Sequence, residues 1–100
     1  PAAWFDIRSR ESGAERRAQL RPAGTSIGRS ADNDIQLDDE LVSRHHAVVH
    51  YDPGRGGYVL QDLSPTNPST INEQEYTGVH LLQAGDTILM GDTVLTYHQE

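Results

Sequence analysis

Two short segments carry the residues best suited to gripping an anion: Gly28-Arg29, and Ser43-Arg44-His45-His46. Both lie among short strand-like runs, so two guanidiniums and a hydroxyl are delivered on turns. The chain around them is acidic, with 8 Lys+Arg against 15 Asp+Glu and a formal net charge of −7. Cations held on turns of an acidic chain point to a local, shaped anion site. A chain that follows nucleic acid carries a basic face instead, which argues against a nucleic-acid partner. The combination suits a phosphate borne on a protein. Arginine keeps its proton and offers a planar fork to two oxygens, and a phosphate monoester presents three acceptor oxygens that need several donors.

Other chemistries fit the same residues less well. GTSIGRS, residues 24–30, echoes a phosphate loop, but Gly24 and Gly28 stand one residue too close, Arg29 replaces the lysine, and no helix follows. His46 and His50 have the spacing of helical zinc ligands, yet the surrounding valines and Tyr51 read as a strand. There, residues four apart lie about 13 Å apart at ~3.3 Å per residue, too far for one ion. Ser43 and His46 do not form a nucleophile elbow. Asp32-Asn33-Asp34 lacks the glycine and distal glutamate of a calcium loop and reads as a turn. No cysteine is present, so disulfides, thiolate nucleophiles and the usual zinc sites fall away together. These exclusions leave no metal, no cofactor and no catalytic residue expected.

The elements that must position the anion site are strands. One hundred residues, 35% of them hydrophobic, suffice for a single domain with one thin, two-layer core. Strand signals fall at Trp4–Ile7, Ala18–Arg21, Thr25–Ile27, Ile35–Leu37, His46–Tyr51, Tyr58–Leu60, Thr70–Asn72, Val79–Leu82, Thr87–Met90 and Thr93–Tyr97. Asp52-Pro53-Gly54-Arg55-Gly56-Gly57 is a strong turn, which makes a hairpin of the runs on either side. No segment keeps a 3.6-residue period over helical length. The fold class is therefore all-β: an antiparallel sandwich whose loops at one end carry the function. The first residues, PAAWFDIRSRES, carry charges where a secretion signal needs an apolar core, and no run reaches the ~18 apolar residues of a membrane span. A cytoplasmic setting without a membrane partner is expected.

GRSADNDIQLDD, VSRHHAVV, YVLQDLSPTNPSTIN and LQAGDTILMG with VLTYH, in that order and spacing, resemble the forkhead-associated (FHA) domain over about residues 18–98. The resemblance implies an eleven-stranded sandwich, with residues 1–100 forming one phosphopeptide-binding domain. It also implies a non-enzymatic module that reads phosphothreonine in a partner, or in its own polypeptide, within Ser/Thr kinase signalling. Carried across by the resemblance, Arg29 contacts the phosphate and peptide backbone, Ser43 donates to a phosphate oxygen, and Arg44 adds a second charge. Thr66 helps hold the phosphate, Asn67 bonds the peptide main chain, His46 braces the loops, and Gly28 permits the tight turn before Arg29.

The third motif departs from the family's Ser-x-Asn-Gly-Thr, since the chain reads Pro65-Thr66-Asn67-Pro68-Ser69. Pro68 lacks an N–H and pushes Asn67 toward extended geometry, so a stiffened loop that still binds is expected. Glu73 follows Asn72 where the family favours glycine, which argues against a two-residue type I′ turn there. The alternative is an interaction sandwich that works without phosphate, motivated by Pro65 and Pro68.

Overall fold

The computed structural model describes residues 2–64 and 66–100. Pro1 and Pro65, the latter part of the altered third motif, lie outside the described residues. Among the described residues there are eleven strands: β1 (Ala3–Ser9), β2 (Glu15–Gln19), β3 (Thr25–Gly28), β4 (Ile35–Gln36), β5 (Ala47–Asp52), β6 (Gly57–Asp62), β7 (Thr70–Ile71), β8 (Gln74–Glu75), β9 (Gly78–Leu81), β10 (Thr87–Met90) and β11 (Thr93–Gln99). They form a six-stranded sheet in the order β2-β1-β11-β10-β7-β8 and a five-stranded sheet in the order β4-β3-β5-β6-β9. No helix among the described residues is long and apolar enough to cross a membrane.

Period-two alternation sends one set of side chains between the layers. On β1, Ala3, Phe5 and Ile7 are buried, and on its partner β11 so are Thr93, Leu95 and Tyr97. From the facing sheet come Ile27, Ala47, Val49 and Leu60. On the opposite face of β1, Trp4 stacks on His98 with ring centroids 5.6 Å apart, and the Arg17 guanidinium lies 5.0 Å over the indole.

Three local expectations change. The second strand runs over Glu15–Gln19 rather than Ala18–Arg21, because β2 is an edge strand, largely exposed, and shows no alternation of burial. The sandwich is not wholly antiparallel, since residues 29–34 loop back and lay β4 parallel to β3, with Ile27 opposite Ile35. Asn72-Glu73 does form a two-residue turn, with Ile71 opposite Gln74 and positive φ at both turn residues, 50° and 73°. Pairing of the short β7 and β8 holds Glu73 in the left-handed region despite its side chain.

Candidate functional site

The segments 29–34, 37–46 and 63–69 and the turn between β10 and β11 are joined by hydrogen bonds at one end of the sandwich. Gly28 begins the site because only a glycine fits. A Cβ there would lie 2.1 Å from the Arg44 carbonyl oxygen and 2.8 Å from the Asn33 amide nitrogen. Past it the chain crosses directly to the next loop: the Arg29 N–H donates to the Ser43 carbonyl at 3.0 Å and the Ser30 N–H to that of Arg44 at 3.2 Å. The Arg29 Nε–H donates to the Val42 carbonyl at 3.0 Å, which anchors the stem of the guanidinium and leaves its outer nitrogens without partners among the described residues. Asn33 locks the crossing, its side-chain amide donating to the carbonyls of Ser30 at 2.8 Å and Arg44 at 2.7 Å.

Buried His46 ties the loops into one body. Its N–H donates to the Ile27 carbonyl, and its own carbonyl accepts from the Leu63 N–H. On the ring, Nδ1 accepts the Ser43 N–H at 3.1 Å, so Nδ1 carries no proton and Nε2 does. Nε2 then donates to the Ser69 Oγ at 3.2 Å, with the Asp62 carboxylate beyond hydrogen-bond reach at 3.9 Å. Burial pushes the imidazole below its usual pKa, and the Asp62 and Asp39 charges offset this only in part. The neutral form that the hydrogen bonds require is thus also the form burial favours.

Two carboxylates shape the remaining loops. Asp62 accepts the Ser64 N–H at 2.8 Å and the Ser69 N–H at 3.0 Å, so one carboxylate holds both residues. Asp39 accepts the Leu41 N–H at 3.0 Å and, from the other sheet, the Asp92 N–H and the Thr93 hydroxyl at 2.8 Å each. Gly91 makes that approach possible, with φ at 57° and space for a Cβ already filled by the Asp39 carboxylate at 2.8 Å.

Arg29 and Ser43 therefore stand side by side, and Arg44, whose exposed side chain makes no hydrogen bond among the described residues, follows Ser43 directly. The Ser43 hydroxyl faces that of Ser64 at 2.5 Å. Asn67 is exposed and its amide donates to the Leu41 carbonyl, so the third loop reaches the second despite Pro68. Thr66 is exposed on the same loop. The arrangement offers one anchored cation at Arg29, a second exposed cation at Arg44 and a hydroxyl, a set of donors that suits a dianion on a flexible chain. Sequence reasoning missed Asn33, Asp39, Asp62, Ser64 and Gly91. The available signal was Asp and Asn beside loops, where such side chains habitually cap backbone N–H groups.

Residues 25–91 match the FHA domain family. The chain is 41% identical over 78 residues to the transcriptional regulatory protein EmbR of Mycobacterium tuberculosis, covering 78% of this chain and 20% of that protein. It thus spans about a fifth of the length of the curated relatives it matches first. Its fold is similar to that of Mycobacterium tuberculosis EmbR in complex with a low-affinity phosphopeptide, with TM-score 0.78 and 37% identity over 95% of this chain and 24% of the other. A structure from a study of phosphothreonine-dependent FHA domain interactions superposes with TM-score 0.81 and 29% identity over 97% of both chains. The chain belongs to the FHA domain family.

Proposed function

From that membership we propose that residues 1–100 work as one recognition domain that binds phosphothreonine in a partner protein, or in its own polypeptide, within Ser/Thr kinase signalling. Its role is to hold, not to catalyse, and its proposed setting is the cytoplasm. The observation that supports the reading most is the direct backbone link between Arg29 and Ser43, which sets the two residues side by side. The EmbR complex with a phosphopeptide and the structure from the study of phosphothreonine-dependent FHA domain interactions support it.

In this reading Arg29 binds the phosphate through the outer nitrogens that Val42 leaves free, Ser43 donates to a second oxygen, and Arg44 adds charge. Thr66 touches the phosphate from the third loop, and Asn67 exchanges its bond to Leu41 for one to the peptide main chain. Gly28 and His46 support the arrangement without touching ligand. Charge-assisted hydrogen bonds contribute roughly 1.5–3 kcal/mol each. Three or four of them contribute roughly 5–12 kcal/mol, against which stands the cost of ordering a flexible peptide.

The test is calorimetric titration with phosphothreonine, phosphoserine and unmodified forms of one peptide selected from a degenerate phosphothreonine library. Binding of the phosphothreonine form and none of the unmodified form is expected. Equal affinity for all three would overturn phosphate reading and favour an interface that works without it.

A further inference from the structure

The hydroxyls of Ser43 and Ser64 lie 2.5 Å apart, and a single proton is shared across that gap. Which serine supplies it follows from the surroundings. Ser64 is 3% exposed. Its N–H is committed to Asp62, and among the described residues its Oγ has no recorded partner other than Ser43. Were Ser43 the donor, the Ser64 proton would be buried with no acceptor among the described residues, at the desolvation cost an unpaired donor carries. With Ser64 as donor, that proton is satisfied and the Ser43 proton is left to point outward, since Ser43 is only partly buried. A hydroxyl that accepts one hydrogen bond also donates more strongly in the next.

We infer that Ser64 is a positioning residue for ligand recognition: by donating to Ser43 it aims the Ser43 proton at the arriving phosphate oxygen. The inference rests on the phosphothreonine reading and adds to it a residue outside the family's recognition set. It also gives a role to the altered third motif. Where the family's serine falls at 65 the chain has proline, and a hydroxyl stands one residue earlier, within reach of Ser43.

A double-mutant cycle on the 100-residue chain tests this, with the library-selected phosphothreonine peptide as titrant. Ser64→Ala is expected to weaken binding about two- to tenfold in the wild-type background, the loss one neutral hydrogen bond supports. In the Ser43→Ala background the same change is expected to cost nothing more, because the hydroxyl it aims is gone. Losses that multiply independently, or unchanged affinity in Ser64→Ala, overturn the inference. Ser64→Cys nearly keeps the volume with a weak donor. It is expected to match Ser64→Ala and carries the cycle should the alanine variant fail to fold. Failure of the underlying reading is distinct: wild type would then bind the phosphorylated and unmodified peptides equally, before any serine is changed.

Discussion

The N–H of Arg29 donates to the carbonyl of Ser43 at 3.0 Å, so the cation of one loop and the hydroxyl of the next share a backbone joint. Displacing either residue displaces the other. The side chain of Arg29 then has two separable jobs in the proposed reading, with Nε bracing Val42 and the outer nitrogens meeting ligand.

Arg29→Ala should reduce phosphothreonine-peptide affinity at least 100-fold, since two charge-assisted hydrogen bonds of about 1.5–3 kcal/mol each are lost. Stability should fall only by the bond to Val42, about 0.5–1.5 kcal/mol. Calorimetry and thermal melting on the same preparation check both. A variant that keeps its affinity would move the phosphate elsewhere.

Gly91→Ala should damage binding from a position that touches no ligand. Its Cβ would meet the Asp39 carboxylate at 2.8 Å and the Leu41 Cβ at 2.9 Å, pushing on the 39–44 loop at a cost of about 1–3 kcal/mol. Gly85→Ala is the control. Its φ is 91°, equally unfriendly to a side chain, but nothing lies within 4 Å of the added methyl. Both variants should melt earlier, and only Gly91→Ala should bind the phosphopeptide more weakly.

Acid should destabilise the domain through His46. Its folded pKa is lowered by burial, so the unfolded chain takes up this proton first. The stability it contributes is present above the unfolded value of about 6.5 and is lost as pH falls from there toward the folded pKa. Urea unfolding at pH 7.5, 6.5 and 5.5 should show a steeper acid loss in wild type than in His46→Gln. Parallel slopes would mean that the imidazole takes up a proton in place.

Glu73→Gly should stabilise the protein by about 1 kcal/mol, or roughly 4–8 °C in Tm. It removes a side chain from a φ of 73° at the β7–β8 turn. Phosphopeptide affinity should not change, which a titration of the same variant checks.

The sandwich was legible wherever burial alternates. Val49 and Tyr51, Leu95 and Tyr97 face the core as their spacing implies. It was illegible where a strand has no buried face, as in Glu15–Gln19, or where tertiary pairing overrides turn chemistry, as at Asn72-Glu73. At the site, Gly28 and Arg29 stand out in sequence because a fixed cation has few substitutes and a glycine beside it is conspicuous. The structure shows the glycine to serve the close approach of the Arg44 carbonyl rather than a tight turn. Asp39 does not stand out, because its partners Asp92 and Thr93 lie on a distant hairpin and only the closed fold brings them together.

The link from Asp39 to the Gly91-Asp92 corner makes the recognition end a product of both layers. The loops after β3 and β4, lifted from their layer onto a foreign scaffold, would arrive without the strut that sets their height. A working transplant would have to include the β10–β11 corner as well.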